Sequence, residues 1–209
     1  MQKERNSIPA TPRFGLAKYT ADQFLIAYHA NRLPFQPEQA LKDIGCKIAT
    51  YTEFARLTGA TLEDVADVMG SDDGRAVFWK QEQYIVFIND TIRSAKRMRW
   101  TLAHELSHIL LRHMEDFNAR QTWLASNVEA NVLDREANAC ASELLSPAYV
   151  LYKMNCRRSE MISEVCNISY GAARIRQNLF DNVDVYLPNR TEARLLPQFI
   201  SYMRGGIIA

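Results

Sequence analysis

Residues 101–113, TLAHELSHILLRH, constrain this chain more than any other stretch. Read as a helix at about 100° per residue, they align Leu102, Leu106, Ile109 and Leu110 as an apolar stripe. His104 and His108 project from nearly the opposite side, only about 40° apart. Such a helix must bury one face in a core, and with Trp100 and Leu111 on the histidine side the other face belongs to a semi-buried cleft. A single helical histidine is ordinarily a packed side chain. A pair one turn apart, off the core face, can share a single Zn²⁺, and Glu105 beside them can reach a water at that ion without being a ligand.

The 209 residues allow one domain with an appended subdomain or two small domains, and 47% hydrophobic with 23% charged residues is a globular composition. Lys plus Arg number 25 against 24 Asp plus Glu, so no net field favours nucleic acid or an anionic membrane. Cys46, Cys140, Cys156 and Cys166 include no C-x-x-C pair and read as reduced thiols. No stretch has the length of a signal-peptide core or of a membrane span, so a cytoplasmic location is expected.

Residues 1–17, punctuated by Pro9 and Pro12, read as a flexible arm, with structure expected from a cap at Thr20 and a helix closed by Pro34. A helix ending at Gly45, a strand over 47–51 and a helix stopped by Gly70 follow. AVFWK and YIVFIN, separated by QEQ, predict a hairpin, and one edge of that hairpin is expected along the cleft, where an extended substrate could add to it; the alternative is that YIVFIN is a central strand with no free edge. Helices are then expected over 96–113 and 129–145. Ser146 and Pro147 read as the cap and first residue of another, and a fourth begins near Ser169.

A catalytic zinc site takes three protein ligands. The extended pattern H-E-x-x-H-x-x-G-x-x-H needs Gly at 111 and His at 114, where this chain has Leu111 and Met114, so a metzincin is excluded and His113 reads as a packed or capping side chain. The third ligand is then sought among Glu129, Glu136 and Glu143, spaced by seven on the following helix. Spacing alone leaves all three open. Glu136 is central and is followed by Ala137, Ala139 and Ala141, which permit close helix approach.

At these residues the chain resembles the ImmA/IrrE family of metallopeptidases. Arg97, Arg99, Trp100, Thr101, Leu102, Ala103, His104, Glu105, Leu106 and His108 match its R-x-R-F-T-L-A-H-E-L-G-H block, with Trp for Phe and Ser107 for Gly. Glu136, Ala137, Asn138, Ala141, Leu144, Leu145 and Pro147 match E-A-N-x-F-A-x-x-L-L-x-P, with Cys140 in the Phe position. The segment ISYGAARIRQNLF is similar to a further family helix. The resemblance implies an α+β, zincin-like fold, a small sheet packed on a helical zinc-binding core over 18–150, with a helix-turn-helix-like helical subdomain over 151–209. It implies Glu136 as third ligand beside His104 and His108, one Zn²⁺ per chain, Glu105 as catalytic base, and a helix-turn-helix repressor as protein substrate. The alternative is a non-proteolytic regulator or toxin-system component that binds DNA or a repressor.

Arg93 and Lys96, with Arg97 and Arg99, cluster at the start of the histidine helix, where the helix dipole disfavours cations, so they need partners. Arg93 and Lys96 are candidate contacts for acidic substrate residues. Arg174 and Arg176 on the last expected helix are too few for a phosphate-binding surface.

Overall fold

A computed structural model describes residues 7–79, 83–117 and 127–206. Three strands, β1 (Lys47–Thr50), β2 (Gly74–Trp79) and β3 (Gln83–Ile88), form a mixed sheet in the order β1-β3-β2. Val86 lies opposite Ile48 across the parallel pair and opposite Ala76 across the antiparallel one. β3 is covered on both faces. Val86 and Ile88 enter the main core with Ala76, while Phe87 and Val77 pack against a second cluster of Tyr51, Val65 and Met69. Two-sided burial explains why YIVFI is a continuous apolar run. The expected hairpin is present; β3 is its central strand, the alternative held open for YIVFIN, and among the described residues the free edge of the hairpin is β2.

The first helix, α1 (Phe14–Ala27), begins before Thr20, inside the arm expected to be flexible. Its buried stripe is Ala17, Ala21 and Leu25, all fully inaccessible. Alanines at i and i+4 carry little hydrophobic signal in a sequence, yet they allow another helix to approach closely. The short helix α2 (Pro37–Asp43) starts on a proline, as expected for a first turn. The sequence reading missed α3 (Tyr51–Thr58), which leaves β1 directly through a Thr50 hydroxyl that accepts from the Glu53 amide at 3.0 Å. A reciprocal Thr61–Asp64 capping box opens α4 (Leu62–Met69), and Gly70 ends it at φ 62°.

The histidine helix is α5 (Ala95–Leu110), capped by Ser94. It stops short of the expected end because Arg112 adopts φ 58°, and α6 (His113–Asp116) starts in a new direction. Beyond residues 118–126 come α7 (Asn127–Leu145), α8 (Ala148–Lys153), α9 (Ser159–Val165), α10 (Tyr170–Asp181) and α11 (Arg190–Gly206). Pro147, rather than Ser146, holds the cap position of α8, and the Glu143 carboxylate accepts from the Ala148 amide at 2.8 Å. Neither α9 nor α11 was delimited from the sequence, though both fall within the helical segment expected over 151–209.

Leu102, Leu106 and Ile109 of α5 share one core with Cys140, Ala141 and Leu144 of α7 and with Leu151, Ile162, Phe180, Leu195 and Phe199 beyond residue 150. The molecule is α+β, mostly helical with a small sheet. All four cysteines are buried and unpaired. Among the described residues no helix is long and apolar enough to cross a membrane.

Where α1, α7, α10 and α11 meet, the interior holds charge. Lys18 pairs with Glu192 at 2.6 Å and Arg176 with Glu143 at 3.1 Å. Arg176 is thus an internal brace. Asp22, fully buried, accepts from the Thr191 hydroxyl at 3.1 Å through Oδ2, while Oδ1 has no hydrogen-bond partner. Burial, followed by the nearby Glu143 charge, raises its carboxyl to about 7. An unfolded aspartate titrates near ~3.9, so between those values the folded chain keeps a proton that the unfolded chain releases. The stabilising contribution is full below pH ~4 and is lost as pH rises through 7. Asp22→Asn removes this titration and is expected to raise the melting temperature relative to wild type more at pH 8 than at pH 5. Equal shifts at both pH values in thermal melts would count against a protonated, buried Asp22.

Candidate metal centre and cleft

His104 and His108 leave α5 on the face turned toward β2 and α7, and a cleft of about 520 Å³ opens there. Its floor includes Gly74, Ala76 and Phe78 of β2, and Trp100, Met114 and Leu133 supply apolar wall. The two imidazoles face each other through their Nε2 atoms at 3.0 Å. The side chain that joins them is Asp134, whose Oδ1 lies 3.4 Å from His108 Nε2 and 3.8 Å from His104 Nε2.

These three donor atoms fit a small divalent cation. Ligands about 2.05 Å from a tetrahedral zinc would lie about 3.3 Å apart, and the observed separations bracket that value. Two unprotonated nitrogens facing each other at 3.0 Å repel unless a proton or a cation lies between them. Burial pushes both imidazoles toward the neutral form that a metal requires, helped at His104 by the neighbouring His108. The Asp134 carboxyl is pushed up by burial, but its hydrogen bond with His108 and the nearby imidazoles hold it below the ordinary range.

Glu136, to which the resemblance assigned the third ligand position, lies elsewhere. It follows Asp134 by two residues, about 200° around α7, so the two carboxylates cannot face the same point. Its Oε1 accepts from the Arg13 backbone N–H at 2.6 Å and from Arg13 Nε at 2.9 Å, and its Oε2 accepts from Arg13 Nη2 at 2.8 Å. His113 Nε2 lies 3.2 Å from the same Oε2. Of the other candidates, Glu143 caps α8 and pairs with Arg176, and the Glu129 side chain lies outside the described residues. A signal for Asp134 was present: Asp134 and Asn138 are spaced by four, like His104 and His108, and the Asn138 Oδ1 sits 2.9 Å from His104 Nδ1. Considering only glutamates hid it.

Glu105 is buried, and its Oε2 accepts from the Ala76 amide of β2 at 2.5 Å. Burial pushes its carboxyl up, against the pull of His104 and the Ala76 amide. Arg75, which donates to the Met69 carbonyl at 3.2 Å, borders the same cleft, and its charge is felt at Glu105 and Asp134.

The basic cluster is not brought to the cleft. Lys96 donates to Ser163 Oγ at 3.0 Å and braces α5 against α9, while Arg93 is exposed and lines no part of the cleft. Arg97 pairs with Asp73 at 2.7 Å, and Arg99 donates to the carbonyls of Phe35, Cys166 and Asn167. Lys96, Arg97 and Arg99 therefore find partners at the start of α5, in structural roles.

A search of curated proteins finds no match. A peptidase family model, described as an IrrE N-terminal-like domain, matches residues 63–178. That span runs from α4 through β2, β3, the histidine helix and α7 to α10, and so contains every residue of the cleft named above. The chain belongs to this IrrE-like peptidase family.

Proposed function

We propose that this protein is a zinc-dependent endopeptidase whose metal is held by His104, His108 and Asp134. The observation that carries the reading is the convergence of two imidazole Nε2 atoms and one carboxylate oxygen at 3.0 to 3.8 Å from one another, beside the buried Glu105 carboxyl on the same helix. A zinc ion in such a site acidifies a water and polarises a carbonyl. Glu105 is anchored through Oε2 by Ala76, so Oε1 is the atom that takes a proton from the attacking water and returns it to the leaving amine. Its upward-shifted carboxyl suits both directions of transfer. Arg75 supplies a positive charge at the same cleft for the developing oxyanion.

Substrate would lie extended along β2. The Ala76 amide points away from β3, toward Glu105, and strand alternation turns the Phe78 N–H and C=O the same way. An added strand would find main-chain partners there, while Trp100, Met114 and Leu133 offer apolar surface for its side chains. The substrate class rests on the ImmA/IrrE resemblance, which points to a helix-turn-helix repressor. Its scissile bond is expected in a linker or a locally opened segment, because a folded helix offers no extended strand.

Metal analysis of the purified protein should give about one zinc per chain, and Asp134→Ala should lose most of it. Full retention in that variant would reject Asp134 as a ligand. Glu105→Gln should keep zinc and fold while lowering hydrolysis by at least ~10²-fold. Comparing new N-termini in cells that express wild type or Glu105→Gln identifies the substrate, and identical profiles would remove proteolysis from the function.

The approach of β2 to α5 is tight at Gly74, where an added Cβ would lie 2.7 Å from the Phe87 carbonyl and 2.9 Å from Thr101 Cγ2. Gly74→Ala must displace the strand that carries Ala76. It should cost roughly 1–3 kcal/mol in denaturant unfolding, as overpacking does, and lower activity beyond that loss of folded protein. Activity per folded molecule equal to wild type would show that the Ala76–Glu105 contact does not set catalytic geometry.

A further inference from the structure

His113 and Glu136 are buried beside the ligand cluster without joining it. His113 Nδ1 lies 2.9 Å from His108 Nδ1, and the two rings meet edge to face with centroids 4.9 Å apart. The opposite nitrogen of His113 faces Glu136, which is clasped by the backbone amide and guanidinium of Arg13. Phe117 walls this group, with its ring 6.1 Å from that of His113 and 5.6 Å from the Arg13 guanidinium carbon.

We propose that Arg13, Glu136 and His113 form a positioning relay that fixes the His108 ring with Nε2 toward the metal, so that the segment before α1 helps to set metal affinity. The relay rests on the reading of His104, His108 and Asp134 as ligands. With a cation between the two Nε2 atoms, one arrangement of hydrogens satisfies every remaining contact. Glu136, engaged by three Arg13 donors, is an acceptor and takes the His113 Nε2–H. His113 Nδ1 is then left with its lone pair and accepts from His108 Nδ1–H. His108 Nε2 therefore carries the lone pair that a metal needs. Asn138 does the same for His104, since its carbonyl oxygen accepts from Nδ1–H and leaves Nε2 open.

The backbone is arranged for this contact. Had α5 continued as a regular helix, His113 would lie five residues and about 140° around from His108, facing away from it. The break at Arg112, φ 58°, turns His113 back beneath the helix. Likewise α1 starts at Phe14, with Arg13 as its cap residue, so that backbone and side chain of one residue both reach Glu136.

The test measures Zn²⁺ affinity by competition with a chromophoric chelator, alongside melting of the metal-free protein. His113→Leu should weaken zinc binding by about 10- to 100-fold, the usual effect of removing a group that orients a ligand. Gln can accept at its oxygen from His108 and donate through its amide nitrogen to Glu136, so His113→Gln should recover most of that loss. Arg13→Ala, whose side chain is 38% exposed, leaves the core in place and should weaken binding about tenfold even where His113→Leu does not fold. Affinity within twofold of wild type in Arg13→Ala, or His113→Gln no better than a folded His113→Leu, overturns the relay. Zinc retention by Asp134→Ala would instead overturn the ligand set, and the two failures are read from different variants.

Discussion

The structure depends on how closely α5 and α7 approach. Ala103 and Leu106 on one side and Ala137, Cys140, Ala141 and Leu144 on the other are all fully buried. That seam brings four polar side chains into register: His104 and His108 on α5 meet Asp134 and Asn138 on α7, each pair spaced by one turn. Polar groups removed from water must be partnered or held by an ion. A larger residue at Ala137 or Ala141 would separate the helices and strand these groups at once. Asp134 adds a second requirement, since its side chain is one methylene shorter than a glutamate and reaches the imidazoles only across a narrow gap.

Much of this was legible in the sequence, for reasons that differ by element. The histidine helix was visible because its two faces have opposite chemistry, and α4 because a capping box and a terminal glycine bracket it. The hairpin was visible because β-rich runs flank a polar turn, but which of its two strands forms the edge stayed open. Continuous apolarity in YIVFI records burial on both faces, and a strand buried on both faces is central. The start of α1 was misplaced because Ala17 and Ala21 look neutral in a hydrophobicity pattern, although they are among the most buried residues. In α9 and α11 the helices are held by the body they pack on, through Ile162, Leu195 and Phe199, and not by a strong local signal.

The third ligand position shows a different limit, since the resemblance pointed to Glu136 and the structure sets Asp134 beside the two imidazoles. His104, Glu105 and His108 lie within one helix, so their relative geometry follows from helical spacing alone. The carboxylate that faces the two imidazoles lies on another helix, and its identity depends on the rotation of α7 about its own axis, which no local pattern encodes. A rotation that turns Glu136 inward turns Asp134 outward. The tertiary structure fixes the rotation by burying Ala137, Cys140, Ala141 and Leu144 together, and this leaves Asp134 more than half exposed at the cleft and Glu136 fully enclosed.

That rotation also explains why the chain carries two acidic groups so close together. A buried carboxylate with no partner would be costly, and Glu136 has three donors from a single arginine. Replacing the whole group by apolar side chains could pack equally well, so its retention is not accounted for by stability. What an apolar replacement could not supply is a hydrogen-bond acceptor at the outer nitrogen of His108, and without one the ring has no reason to prefer the tautomer that leaves Nε2 open. The cleft side of α7 therefore offers charge to a cation, while the opposite side offers charge to the histidine that orients a ligand. Both depend on the same helix rotation, so an error in the seam between α5 and α7 would disturb the ligand and its support together.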